Sequence, residues 1–282
     1  MPGTLFVVAT PIGNLEDITV RALRVLREVS VIAAEDTRRT AHLLARHAIT
    51  TPMTSLHEHN EAKKAPSIVA RLSAGESVAM VSDAGTPTVS DPGQRLIAAA
   101  IEAGVRVEPI PGPSAVMTAL AASGLPTEPF LFMGFPPVRS KDRKIWFERM
   151  RQAGGTAVFF EAPHRIRRTL EDLQAAAGDC RIVIGRELTK IHEQLVRGPI
   201  SVILRGGLAE KGEFTVVVDL GLTTDLSALT RPRAEVIVAE FGDMTANGRA
   251  SRRQAMATLA SRYGIPTNQI YDVIESSKKS GN

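Results

Sequence analysis

Four short apolar runs, at residues 4–10, 31–34, 77–81 and 105–110, limit this chain's fold more than any other feature. Each is of strand length and does not alternate with polar residues, as expected of strands buried on both faces. Between and after them, apolar residues recur at helical spacing: Ile18, Ala22, Val25, Leu26 and Val29; Ile68, Val69 and Leu72; Leu96, Ile97, Ala100 and Ile101; and an alanine-rich stretch ending at Ser123. Strand and helix therefore alternate through the first 124 residues, which predicts a mostly parallel sheet with helices on both faces.

The punctuation gives provisional boundaries. Asp17 reads as an N-cap, a helix is expected at residues 40–46, and residues 54–60 read as a polar connection ending in Asn60, which can cap the helix closed by Gly75. Asp91-Pro92 reads as an N-cap with proline at the first helical position, and Ser114 and Gly124 bracket the alanine-rich helix. After a linker at residues 125–129, strands are expected at 130–137, 156–160, 181–185 and 213–220, and a helix at 166–177, with a connection through Gly198-Pro199. This second region alternates less regularly, which predicts a mixed sheet. From Thr230 the composition changes to three helices, at residues 233–241, 249–263 and 268–276, separated by Gly242, Gly248 and Gly264-Ile265-Pro266, with Thr267 as a cap. That pattern resembles a helix-turn-helix. The expected division is 1–124, 125–225 and 226–282.

At 282 residues with 44% hydrophobic and 23% charged content, the chain is globular in composition and long for one core. No apolar run approaches the roughly eighteen residues of a membrane span, and no secretion signal is legible, so a cytoplasmic location is expected. Cys180 is the single cysteine, and the six histidines show no metal-binding spacing, so no metal is expected. The net charge of +4 is concentrated. Residues 139–151 carry Arg139, Lys141, Arg143, Lys144, Arg149 and Arg151 against Asp142 and Glu148, with Trp146 and Phe147 among them, and the tail is basic as well, including Arg252 and Arg253. Such clusters suit a polyanionic partner, with Trp146 as a possible stacking surface, although solvated basic surface and buried aromatics fit the same pattern.

The chemistry points to two loops at strand ends, residues 81–93 and 110–115. Gly85 and Gly112 permit close approach to a ligand, while Pro87, Pro92, Pro111 and Pro113 stiffen the backbone and leave N–H groups free to bind. No Gly-x-Gly and no Gly-x-x-x-x-Gly-Lys occurs, which disfavours dinucleotides and ATP hydrolysis. A nucleoside with few or no phosphates remains, and S-adenosyl-L-methionine fits that description. Carboxylates at strand ends, Glu35, Asp36, Asp83, Glu161 and Glu187, are candidate proton acceptors. Lys190 is a candidate neighbouring cation, and Arg38, Arg39 and Arg165 are candidate phosphate ligands.

Six segments in order, Ala9-Thr10-Pro11-Ile12-Gly13-Asn14, Ala34-Glu35-Asp36-Thr37-Arg38, Val81-Ser82-Asp83-Ala84-Gly85-Thr86-Pro87, Ile110-Pro111-Gly112-Pro113-Ser114-Ala115, Met133-Gly134-Phe135 and Glu161-Ala162-Pro163-His164-Arg165, resemble the ribosomal RNA small subunit methyltransferase I family. That family is of the tetrapyrrole-methylase (class III) type. The resemblance spans roughly residues 4–222. It implies a two-domain α/β methyltransferase with a small helical extension, working as a homodimer. It also implies 2′-O-methylation of a cytidine ribose in the decoding centre of 16S rRNA in the 30S subunit. Carried onto this chain, it implies that Pro11, Asp83, Ala84, Gly85, Thr86, Val89, Ser114 and Ala115 contact S-adenosyl-L-methionine from the first domain, and Phe160, Glu161 and Ala162 from the second. Two rivals remain open: a tetrapyrrole C-methyltransferase with the same loops, which the basic clusters argue against, and a non-catalytic RNA-binding protein, which the polar strand ends argue against.

Overall fold

The computed structural model describes residues 2–209, 211–221, 234–246, 250–263 and 266–279. The expected tail boundary at Thr230, the helix starts at Arg233 and Arg249, and the turn residues Gly248, Gly264 and Ile265 lie outside them. The four apolar runs form strands β1 (Thr4–Val8), β2 (Val31–Ala34), β4 (Val78–Val81) and β5 (Arg106–Ile110). With β3 (Met53–Ser55) they make an all-parallel sheet ordered β3-β2-β4-β1-β5. Side chains alternate across the sheet even though the sequence does not. Val31, Ala33, Val78 and Met80 face helices α3 (Glu61–Ser73) and α4 (Gln94–Glu102), while Ile32, Ala34, Ala79 and Val81 face α1 (Val20–Glu28) and α2 (Thr37–Arg46). Both faces are covered, so no strand residue needs to be polar.

Several boundaries differ from expectation, each for a local reason. Asp17 lies in a short 3-10 turn, and Thr19 caps α1 instead, its hydroxyl accepting from Ala22 N at 3.0 Å. Asp36 caps α2, which therefore starts three residues early. β3, expected as part of a connection, is a three-residue edge strand paired in register with Ile32–Ala34, too short to show a pattern. Asn60 precedes α3, but its side chain accepts from His57 N and donates to Ser55 rather than capping. α4 begins only after Gly93, at φ +120°, where a Cβ would stand 2.5 Å from Met80 Sδ, so Asp91 and Pro92 lie outside the helix.

The second sheet is mixed, as expected. It is ordered β6 (Phe130–Phe132), β7 (Thr156–Glu161), β10 (Phe214–Asp219), β8 (Arg181–Arg186), β9 (Gln194–Pro199), with only β6 and β7 parallel. β9 and the following α8 (Ile200–Gly206) occupy the segment expected as a connection. One face packs on α6 (Ser140–Ala153), α7 (Ile166–Ala177) and α8 through Ala157, Phe159, Ile182, Ile184, Phe214 and Val216. On the opposite face Val158, Val217 and Val183 stand in one register row across three strands.

That row is covered by α5 (Ala115–Ser123), the helix that leaves the first sheet. Its Val116, Ala119 and Leu120 bury against the three valines together with Ile12, Leu125 and Leu188. A helix apolar around most of its circumference suits this place between two layers. Both sheets lie in one compact unit, Met1–Leu220. The tail forms a second unit, in which α9 (Ala234–Ala246), α10 (Arg252–Tyr263) and α11 (Thr267–Lys279) enclose Ile237, Phe241, Ala255, Leu259, Ile270 and Ile274.

Leu120 is 3% exposed, so Leu120→Ala is expected to cost about 2–5 kcal/mol in chemical denaturation, as large-to-small core changes do. A loss under about 1 kcal/mol would show that α5 is not the seam.

Candidate active site

Three strand-end loops of the first sheet are tied together by backbone and threonine hydroxyl hydrogen bonds. Thr10 and Gly85 exchange two hydrogen bonds, each 2.9 Å, in an isolated antiparallel bridge. Thr10 Oγ1 donates to Ser82 O, and Thr86 Oγ1 to Pro113 O. Gly85 sits at φ +82°, a conformation that favours glycine, and a Cβ there would approach Ile12 Cγ2 to 3.4 Å. The expectation of many free amides is thereby narrowed: Gly85 N–H is taken by Thr10, and Asp83 N–H by Glu35 Oε2 at 3.2 Å.

Between these loops and the second sheet lies a cavity of about 440 Å³, within the usual range for small-ligand sites. From the first sheet it is lined by Ile12, Glu35, Arg39, residues 83–86, Val89, Asp91, Ser114 and Ala115. The second sheet contributes Phe135, Phe160, Glu161, Ala162, Pro163, Leu188 and residues 213–215. The rings of Phe135 and Phe160 lie 5.4 Å apart and form an aromatic panel on one side. On the other side Glu35, Asp83 and Asp91 face a single cavity-lining arginine, Arg39, whose Nη1 is 3.4 Å from Asp83 Oδ2. Burial lifts the Glu35 carboxyl above its ordinary range and the Asp83 charge adds to this, while the Asp83 N–H and Arg39 oppose it. Burial, with the charge of Glu35, pushes Asp91 up to about 6 against the lowering effect of the Ser82 hydroxyl.

The residues expected to hold the cofactor meet here, with one exception: Ile12 rather than Pro11 lines the cavity. Ser114 lines it while also capping α5. The proton-acceptor candidates separate. Glu35 stays in the cavity. Asp36 points away, its carboxylate held low by hydrogen bonds from Arg38. Glu161 touches the cavity but its carboxylate is spent, accepting from Thr169 Oγ1 and from Ala162 N and pairing with Arg165. Glu187 accepts from Glu213 N and pairs with Lys190 at 3.0 Å, and neither lines the cavity. Burial works against the Lys190 charge, but Glu187 and Glu213 outweigh it and raise its pKa. These four are structural partners, which the spacing of single charges cannot reveal.

The basic candidates divide in the same way. Arg143 is 6% exposed, paired with Asp172 at 2.6 Å and donating to Pro137 O and Val138 O, so it braces α6 against α7 rather than facing a partner. Arg165 is turned inward to Glu161 and Pro136 O. Trp146 is partly buried and packs edge-on against Phe147 and Phe159, against the core of the second sheet. Arg38, Arg39, Arg139, Lys141 and Lys144 are exposed. In the tail Arg253 is exposed, while Arg252 pairs with Glu275 and lies over the Phe241 ring.

Residues 4–203 match the model of the tetrapyrrole (corrin/porphyrin) methylases. The chain is 42% identical over 274 residues to ribosomal RNA small subunit methyltransferase I of Synechocystis sp., covering 96% of this chain and 97% of that one. It is 42% identical to the Haemophilus influenzae protein of that name, covering 96% of each, and 40% identical to that of Escherichia coli O157:H7, covering 95% and 93%. The chain belongs to the ribosomal RNA small subunit methyltransferase I family. It is an α/β methyltransferase of the tetrapyrrole-methylase fold. Diphthine synthase shares that fold at a TM-score of 0.60 and 16% identity, over 77% of this chain and 90% of that one. Uroporphyrin-III C-methyltransferase from Thermus thermophilus, complexed with S-adenyl homocysteine, shares it at 0.56 and 17%, over 77% and 97%.

A cationic nucleoside suits this family member's cavity. The aromatic panel offers an apolar face, the Gly85 turn brings bare backbone to the surface, and the carboxylate wall favours positive charge. Sequence reading misses Asp91, Phe135 and Glu213 as wall residues. Asp91-Pro92 imitates a helix start, and the second sheet's contributions depend on how α5 seats it.

Asp91 also makes a stability prediction. Its folded-state pKa of about 6 exceeds the ordinary 3.8, so its ionised form is disfavoured by folding and the associated stability is lost as pH rises through 6. Asp91→Asn is therefore expected to be more stable than the wild type at pH 8, by about 1 kcal/mol after discounting for solvent screening, and equal to it below about pH 4. Thermal melting at the two pH values checks this; a variant less stable at pH 8 would contradict it.

Proposed function

We propose that the protein transfers a methyl group from S-adenosyl-L-methionine to the 2′-hydroxyl of a cytidine ribose in the decoding centre of 16S rRNA. It acts on the small ribosomal subunit in the cytoplasm, as a homodimer. The observation that carries this reading is identity of 40–42% along more than nine-tenths of small-subunit rRNA methyltransferases, joined to a cavity of the right size and polarity. No helix among the described residues is long and apolar enough to cross a membrane.

Ala84, Gly85, Thr86, Val89, Ser114 and Ala115 would hold the donor from one side, and Phe135, Phe160 and Ala162 from the other. When bound, the donor supplies an electrophilic methyl on a positively charged sulfur. The chain's own task is then to place the ribose hydroxyl in line and accept its proton, which position and a nearby base accomplish. Arg39, 66% exposed at the cavity wall, stands where a flanking phosphate would meet it. Arg139, Lys141, Lys144, Arg38 and Arg253 are further exposed basic residues that would serve RNA phosphates.

The direct test offers labelled S-adenosyl-L-methionine with undermethylated 30S subunits, naked 16S RNA or uroporphyrinogen. Label in ribose of 30S RNA and none in the pigment is expected; labelled pigment, or no transfer to RNA, overturns the reading. The K141A/K144A double variant is expected to weaken RNA binding and to reduce the salt slope by about 1 for each phosphate that the variant no longer neutralises. Donor affinity should be unchanged; an unaltered salt slope would remove α6 from the RNA surface.

A further inference from the structure

We propose that Glu35 is the specificity-determining residue for the target base, its free carboxylate oxygen accepting a hydrogen bond from the exocyclic amino group of the cytosine. The inference rests on the methylation reading above and names the group that selects the nucleoside.

Position comes first. The first sheet is ordered β3-β2-β4-β1-β5, and its cavity-lining loops that would hold the donor leave β4, β1 and β5. Glu35 and Arg39 follow β2, one strand farther out, and line the same cavity. A nucleotide has to reach the donor's methyl from a side that the donor leaves open. The β2 end is the part of this sheet's rim that lines the cavity without belonging to a donor loop. Arg39, placed to meet a flanking phosphate, lies in the first turn of α2, four residues after Glu35. One strand end would thus supply both contacts, the phosphate fixing the register and the carboxylate reading the base.

Occupancy comes second. Of the carboxylates that line the cavity, Asp83 accepts from Asp36 N and pairs with Arg39. Glu161 accepts from Thr169 Oγ1 and Ala162 N and pairs with Arg165, and Glu213 pairs with Lys190. Asp91 belongs to the donor loop of β4, with Val89. Glu35 uses only Oε2, on Asp83 N at 3.2 Å; among the described residues no hydrogen bond or ion pair engages its Oε1. The Asp83 N–H therefore pins the carboxylate and leaves the second oxygen for a ligand. Burial, with the Asp83 charge, raises the proton affinity of Glu35 against the Asp83 N–H, Arg39 and His57, which strengthens it as an acceptor.

Cytosine and uracil match in shape and differ along the pairing edge, where cytosine carries an amino donor at N4 and uracil an acceptor at O4. A fixed carboxylate oxygen accepts from the first and opposes the second, so one acceptor discriminates both by gain and by loss. An unstacked nucleotide exposes that edge, which is how RNA sequence is commonly read.

The test measures kcat/KM of wild type and E35Q on 30S subunits reconstituted with 16S RNA that carries cytidine or uridine at the methylated position, with calorimetry of S-adenosylhomocysteine for both proteins. Wild type is expected to prefer cytidine about 10–100-fold. The amide of E35Q keeps an oxygen for Asp83 N and turns its NH₂ toward the base. Cytidine should therefore lose about tenfold, uridine should gain, and the preference should fall to about threefold or less. The Kd for S-adenosylhomocysteine should stay within about threefold of wild type, which also shows E35Q folded. A carboxylate that only accepts the proton, or only supports the loop, would slow both substrates alike and leave the preference as it was. An E35Q preference within about threefold of the wild-type value, a wild type indifferent to the base, or a donor Kd displaced by more than about threefold overturns the proposal while leaving the methylation reading intact. A wild type that methylates neither RNA overturns both.

Discussion

The packing of α5 against the Val158–Val217–Val183 row is the interaction on which the site depends. The helix starts at Ser114, within the cavity wall, and ends buried against the second sheet. One rigid rod thus sets the spacing between the proline-pinned loops and the Phe135–Phe160 panel. Because the seam is apolar and close-packed, it has few alternative arrangements, and a shift of either sheet would open voids along it. The cavity exists because two sheets are held at a fixed offset, with polar loop ends on one side and aromatic rings on the other.

Electrostatics inside the cavity run against the charge of the whole molecule. The protein is basic by +4, yet the cavity wall carries Glu35, Asp83 and Asp91 against Arg39. The basic side chains lie outside, on the exposed side of α6 and at the start of α2. A polyanion is thereby attracted to the surface while a small cation is favoured within. The same wall leaves Asp91 partly desolvated beside like charges, a cost to folding once the carboxyl ionises. The strain at Thr88 and Ser90, non-glycine residues at φ +72° and +69°, belongs with it: both are local penalties carried by the loop that holds Asp91.

Charges that look equivalent in one dimension take opposite roles in three. Arg143 and Lys144 are adjacent in sequence, but the helical turn buries the first against Asp172 and exposes the second. Glu35 and Glu161 both end apolar strands, yet only Glu35 keeps its carboxylate toward the ligand space, because Thr169 and Arg165 on α7 and at its start reach back to Glu161. Exposed and structural arginines separate by the same logic.

By itself the sequence determined the alternation of strands and helices, the parallel first sheet, and the two loops whose Asp83, Ala84, Gly85, Thr86, Val89, Ser114 and Ala115 line the cavity. These follow from local rules: unbroken apolar runs for doubly covered strands, glycine for left-handed turns, and proline for fixed ones. Only the tertiary structure decided that Asp91 lies in the cavity wall outside its helix, that Ile12 displaces Pro11, that Trp146 packs against the core, and that Glu187 and Lys190 pair with each other outside the lining. Each depends on contacts between residues far apart in the chain. A carboxylate's role is set by which donors reach it, and those donors are chosen by packing rather than by neighbours in sequence.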